Sequence, residues 1–208
     1  IFSLSRHIAR GHAGLAQGKW EKKQLRGREV KGKTLGIVGL GNIGAILAEL
    51  GKGVKMNVLG FDPFLSEEQI KERGAEPVSF DDLLARSDYI SIHVPKSKET
   101  SGLFNAENLR KMKEGAYLIN CARGGIVDEE ALCDVLADNH LAGAALDVFA
   151  EEPLPANSRI LSAGDVCCTP HLGASTYEAQ ENVAVAVANQ ISQYLKTGQA
   201  VNAVNAPK

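Results

Sequence analysis

The sequence predicts an α/β fold, a doubly wound parallel sheet with helices on both faces, and three observations lead there. Short apolar runs alternate with amphipathic ones between positions 34 and 168, the order that parallel strands joined by crossover helices require. The first run enters a glycine-rich turn, Gly39-Leu40-Gly41-Asn42-Ile43-Gly44, and then a helical stretch. The second ends on an acidic residue, Asp62.

Along the chain, Ile1, Leu4, Ile8, His12 and Leu15 recur at helical spacing, so an amphipathic helix over 1–17 precedes the sheet and Gly18-Lys19-Trp20 ends it. A strand over 34–38 runs into a helix from Asn42. A strand over 56–61 is followed by a helix over 66–73, a short strand over 77–79 and a helix over 81–86. Next come a strand over 89–93, a helix near 106–112, a strand over 116–120 and a helix over 128–137, then strands over 142–146 and 166–168. Ser79-Phe80-Asp81-Asp82 and Asp128-Glu129-Glu130 put side-chain acceptors and negative charge at helix starts, where backbone N–H groups lack partners. A long helix over 175–195 carries Ala and Val at nearly every turn, which predicts packing on more than one side. The expected organisation is an entering helix and arm over 1–20, an α/β domain over 21–195 and a tail over 196–208.

A formal net charge of -2 over 208 residues provides no positive field for nucleic acid or an anionic membrane, and neither is expected as a partner. No run approaches the length of a membrane span, and Ile1-Phe2-Ser3-Leu4 is neither an initiator Met nor a leader, so the chain is expected to start inside a longer protein. Cys121, Cys133, Cys167 and Cys168 lack metal-ligand spacing, and the adjacent pair does not suit an ordinary disulfide. They predict buried thiols in a reducing, cytoplasmic setting, and no metal.

The glycine turn carries chemistry. Gly39 allows the tight turn, Gly41 lets a pyrophosphate approach the backbone, and Gly44 lets the helix lie close; the first amides of the helix then face the anion. Asp62 is placed to accept from both hydroxyls of an adenosine ribose. Its neighbours are Pro63 and Phe64 rather than an arginine, which favours NAD over NADP. Ligands of open parallel sheets gather at the carboxyl ends of strands, and those ends are polar here: Val94-Pro95, Cys121-Ala122-Arg123-Gly124-Gly125, Asp147, and Thr169-Pro170-His171. Topology is expected to bring Arg123, Asp147 and His171 to one crevice beside the Gly41 loop.

Together with Ala145-Leu146-Asp147-Val148-Phe149, Glu152-Pro153 and Pro170-His171-Leu172-Gly173-Ala174-Ser175, these motifs resemble the NAD-dependent D-2-hydroxyacid dehydrogenases over nearly the whole chain. The resemblance implies a Rossmann-type NAD-binding domain. It also implies catalytic roles: Arg123 for the substrate carboxylate and C2 oxygen, His171 as acid/base, and Glu152 as the carboxylate partnered with that histidine. Cofactor positions implied are Gly39, Gly41, Asn42, Ile43, Gly44, Asp62, Val94, Cys121, Ala122, Arg123, Asp147, His171, Gly173 and Ala174, with Asp147 accepting from the nicotinamide carboxamide. Gly18-Lys19-Trp20-Glu21 and Glu178-Ala179-Gln180 are most similar to members acting on 3-phosphoglycerate, a small-molecule 2-hydroxyacid. A hydroxypyruvate or glyoxylate reductase and an NAD-sensing, protein-binding scaffold are the alternatives. The family's second, substrate-binding lobe is missing from this stretch, so NAD binding with little turnover is expected of the chain alone. The segment over 153–164 is expected as a surface loop. The family also implies two-fold pairing through the nucleotide domains, hence a homodimer.

Overall fold

The computed structural model describes residues 1–203, so 204–208, the end of the expected tail, lie outside the described residues. The chain divides into two compact units, Ile1–Pro170 and a second starting at His171. The sequence carried the α/β domain on to 195; the first unit closes at Pro170, before the last helix.

Seven strands form the first unit's sheet: β1 (Thr34–Val38), β2 (Asn57–Phe61), β3 (Glu76–Pro77), β4 (Tyr89–Ile92), β5 (Tyr117–Asn120), β6 (Gly143–Leu146) and β7 (Val166–Cys168). Every pair is parallel and the order is β3-β2-β1-β4-β5-β6-β7, so the direction of winding reverses between β1 and β4. The central strands are apolar on both faces because both are covered. On one face Ile90, Ile92, Leu118 and Leu146 pack with Leu83 and Leu132. On the other, Leu35, Ile37, Tyr89 and Ile119 pack with Leu4 and Ala48.

The crossover helices begin where the sequence supplies caps. α3 (Asn42–Gly53) starts at the glycine turn; α4 (Glu67–Glu72) has Ser66 and Gln69 in a reciprocal capping box. α5 (Phe80–Arg86), α6 (Ala106–Lys111) and α7 (Glu129–Ala137) are capped by Ser79, Asn105 and Asp128, each accepting from an amide of the first turn.

The expected entering helix over 1–17 is two pieces, α1 (Phe2–Ser5) and α2 (Ile8–Ala16). His7 between them is left-handed at φ 50, and its Nδ1 lies 2.7 Å from Asp165 Oδ2. The Ser5 carbonyl accepts from the Arg28 amide at 2.7 Å, so the chain returning through Gly27 takes a bond that a longer helix would need. The segment over 153–164 is also more than a surface loop: Arg159–Ser162 form a 3-10 turn that buries Ile160, while Arg159 pairs with Glu130 and with Asp134 at 2.9 Å. Cys133 alone of the four thiols is fully buried; Cys167 and Cys168 are half-buried and Cys121 is exposed. Burial still pushes the Cys121 thiol up and the Cys168 thiol to about 11, so both stay protonated near neutral pH.

The second unit holds α8 (Tyr177–Thr197), capped by the Thr176 hydroxyl, which accepts from the Ala179 amide at 3.0 Å, and ended by left-handed Gly198. None of its residues is buried, contrary to the packing expected from its Ala and Val content.

Candidate active site

Sheet register decides which residues meet. Val38 lies opposite Phe61 and Ile92, Ile92 opposite Asn120, Asn120 opposite Leu146, and Leu146 opposite Cys168. Six strands therefore end level, and Gly39, Asp62, Val94, Cys121 and Asp147 emerge along one edge, at the switch point between β1 and β4 where open α/β sheets bind ligands.

The glycine turn has the form a phosphate loop needs. Gly39 sits at φ +92, and a Cβ there would meet the His93 carbonyl at 2.8 Å. A Cβ on Gly44 would stand 2.1 Å from the Gly39 carbonyl, so the start of α3 closes directly on the turn. Around Gly41 a Cβ would meet nothing within 4 Å, which leaves open space over the loop. Gly41 is the N-cap of α3, and Asn42, Ile43 and Gly44 supply first-turn amides without intrahelical partners. These residues fit a pyrophosphate: an open cradle bounded by amides at the positive end of a helix.

Asp62 shapes that loop as well as facing it. Its Oδ2 accepts from the Leu40 amide at 2.9 Å and its Oδ1 from the Phe64 amide at 3.0 Å. Arg73, just past α4, donates to the Leu40 carbonyl. Nothing in the sequence near Asp62 announced that arginine.

At the end of β5 the organiser is Asn120, 2% exposed. Its Oδ1 accepts from the Ala122 amide and its Nδ2 donates to the Arg123 carbonyl, both at 3.0 Å, so one amide side chain folds the turn that presents Arg123. The Arg123 guanidinium is exposed, donates to the Ala122 carbonyl at 2.7 Å and has no carboxylate partner among the described residues. A Cβ on Gly124 would stand 1.7 Å from the Phe149 carbonyl, which packs this turn against the segment after β6. In that segment Glu152 Oε1 accepts from the Phe149 amide at 2.9 Å, and Glu129 accepts from the Ala150 amide at 2.6 Å. Asp147 is buried and accepts from the Thr169 hydroxyl. Beside Val94, burial pushes the His93 imidazole below its ordinary value, and the ring pairs with the Ser91 hydroxyl at 2.9 Å.

Lys96 is a second cation that sequence reasoning passed over: a Cβ on Gly125 would lie 2.8 Å from its ammonium. Asn120 closes the strand expected over 116–120, and its role shows only in the folded turn. The first unit thus holds Gly39, Gly41, Asn42, Ile43, Gly44, Asp62, Val94, Cys121, Ala122, Arg123, Asp147 and Glu152. His171, Gly173 and Ala174 belong to the second unit, where His171 takes a left-handed φ of 54.

Comparison with known proteins agrees with this geometry. The profile of the D-isomer specific 2-hydroxyacid dehydrogenase, NAD binding domain, matches residues 1–173. The chain is 49% identical over 207 residues to D-3-phosphoglycerate dehydrogenase of Synechocystis and 46% identical to that of Bacillus subtilis, covering all of itself but 37% and 39% of those proteins. It therefore spans about two fifths of the length of the curated relatives it matches. Among solved structures, a glyoxylate reductase from Paecilomyes thermophila superposes with a TM-score of 0.89 at 32% identity, over 98% of this chain and 61% of that one. The NAD-dependent formate dehydrogenase of Staphylococcus aureus in complex with NAD superposes with a TM-score of 0.87 at 32% identity, over 99% and 62%.

Proposed function

Because the chain belongs to the D-isomer specific 2-hydroxyacid dehydrogenases, as their NAD-binding domain, we propose that it is the cofactor-binding and catalytic part of a D-3-phosphoglycerate dehydrogenase. The reaction would be oxidation of 3-phosphoglycerate to 3-phosphohydroxypyruvate, which opens serine synthesis. One observation favours this substrate over those of the related reductases: identity reaches 49% along the whole chain to an enzyme of that name, against 32% to a glyoxylate reductase.

Each residue's task follows from its chemistry. The Arg123 guanidinium is a planar, always-charged fork without a carboxylate partner in the described residues, suited to a substrate carboxylate and its neighbouring C2 oxygen. His171 takes the C2 hydroxyl proton and returns it in the reverse direction, work that suits an imidazole. Glu152 stabilises the imidazolium and orients the ring. Asp62 accepts from the adenosine ribose, and Asp147 from the nicotinamide carboxamide. Asn42, Ile43, Val94, Cys121, Ala122, Gly173 and Ala174 line the dinucleotide, and the Gly39–Gly41–Gly44 loop holds its pyrophosphate. NAD, when bound, supplies the acceptor for the hydride leaving C2.

The assembly proposed is a cytoplasmic homodimer, without nucleic-acid or membrane partners. Phe2, Ile8 and Leu15 on the entering helices are more than half exposed, and Trp20 is 79% exposed, leaving apolar surface at the region through which the two copies would pair. No helix among the described residues is long and apolar enough to cross a membrane.

The test is kinetic and uses the full-length protein. Arg123→Gln and His171→Ala are each expected to lower turnover of D-3-phosphoglycerate by about 10²–10⁴-fold while NAD binding persists. Wild-type preference for D-glycerate or glyoxylate over the phosphorylated acid would move the assignment to a reductase. Absence of turnover in a wild type that binds NAD and a protein partner would make it a scaffold.

A further inference from the structure

The phosphate of 3-phosphoglycerate calls for a cation that the residues assigned above do not supply, because the Arg123 guanidinium is taken by the carboxylate. Lys96 stands four residues past the end of β4, and its ammonium lies against the turn that presents Arg123. A Cβ built on Gly125, where φ is +78, would meet Lys96 Nζ at 2.8 Å and Cε at 3.2 Å, so the ammonium occupies the space that a side chain at 125 would fill. Gly125 is two residues past Arg123, which leaves at most about 12 Å between that ammonium and the Arg123 Cα. An arginine side chain and a three-carbon acid together bridge such a gap. The loop carrying Lys96 is fastened: Thr100 Oγ1 donates to the Pro95 carbonyl at 2.6 Å, and the Gly102 amide donates to the Gly125 carbonyl at 2.9 Å. Lys96 is exposed, and no carboxylate holds it. Among the described residues the lysines paired with a carboxylate are Lys71, Lys111 and Lys113, while the acid of its own loop, Glu99, accepts from the Ser97 hydroxyl at 2.7 Å. Lys96 also turns away from the pyrophosphate cradle: it leaves β4 toward the turn after β5, whereas the glycine loop follows β1 on the other side of β4.

We propose, resting on the substrate reading above, that Lys96 is a specificity residue whose ammonium receives the C3 phosphate of the substrate while Arg123 holds the carboxylate on the same turn. The two ends of the substrate differ as the two cations do. A planar fork matches the flat carboxylate, and a point charge on a flexible stem suits a tetrahedral phosphate, whose oxygens it can meet from any side. The phosphate keeps its charge as hydride leaves C2, so this contact is equal in the ground state and the transition state. Its loss therefore appears in KM rather than in kcat. D-Glycerate has no phosphate, and for that acid Lys96 has nothing to hold.

The experiment is steady-state kinetics of the full-length protein on D-3-phosphoglycerate and D-glycerate at saturating NAD. Lys96→Met is expected to raise KM for D-3-phosphoglycerate by about tenfold or more, with kcat within about twofold and both constants for D-glycerate unchanged. Lys96→Arg, which keeps the charge, is expected to recover most of the loss. Lys98→Met, which removes a neighbouring charge of the same loop, is expected to leave the preference between the two acids as it is. An unchanged KM in Lys96→Met, or a rise shared by both acids, overturns the proposal, because a turn that has merely shifted affects the two alike. A rise in Lys98→Met as large as in Lys96→Met also overturns it, since the effect would then belong to the general field of the loop. Should Lys96→Met fail to fold, Lys96→Gln is read in the same way. A wild type that prefers D-glycerate fails differently, since it removes the phosphorylated substrate itself.

Discussion

Gly124 is the residue where the candidate site has least slack. Its missing side chain lets the turn after β5 lie on the Phe149 carbonyl, 1.7 Å from where a Cβ would stand, and backbone rather than a flexible side chain would have to move. Gly124→Ala is therefore expected to destabilise the chain by ~3 kcal/mol. It should also weaken NAD binding, because the displaced turn carries Cys121, Ala122 and Arg123. Urea melts and NAD titrations of the same variant check both; wild-type stability would mean that the turn relaxes freely. The neighbouring Asn120 side chain shows why single residues are hard to weigh from sequence. Inside an apolar strand it looks like an intrusion, and only its two bonds to the Ala122 amide and the Arg123 carbonyl show it templating the turn.

At the scale of elements, the lower edge of the sheet is tied by Asp88, just before β4. Its carboxylate accepts from the Thr34 amide at 2.8 Å and pairs with Lys113 at 2.8 Å, while its carbonyl accepts from the Tyr117 amide, so β1, β4 and β5 start in register. Burial by itself raises this carboxyl, but the Lys113 ammonium, the Thr34 N–H and the nearby Lys33 outweigh it and hold it below the usual range. A depressed folded value stabilises the fold above the unfolded carboxylate's ~3.9, and that contribution is lost as pH falls through the folded value. Asp88→Asn is expected to lose ~1 kcal/mol at neutral pH after solvent screening. The gap from wild type should begin to shrink as the pH drops below ~4 and vanish only below the depressed folded value. Thermal melts across pH test it; a constant gap would remove charge from the explanation. The caps of α5 and α7 were legible because Ser79 and Asp128 act on amides a few residues away. The break between α1 and α2 was not, because it is imposed from a distance by Arg28 and Asp165.

For the whole molecule, the exposed Phe2, Ile8, Leu15 and Trp20 lead to an expected solution mass of twice 22.2 kDa by light scattering, and Trp20→Glu should shift it toward the monomer. A wild-type chain that stays monomeric at working concentration refutes the pairing. The sequence by itself determined the alternation of strands and helices, the all-parallel sheet, the glycine loop and the residues at the strand ends. Those features rest on periodicity, on local capping and on glycines whose neighbours lie within the same few positions. Only the tertiary structure decided that Leu40 is gripped by both Asp62 and Arg73, that Lys96 stands over Gly125, and that an expected surface loop buries Ile160. Such contacts join residues that are remote in the chain, and their existence depends on register and packing that no local pattern encodes.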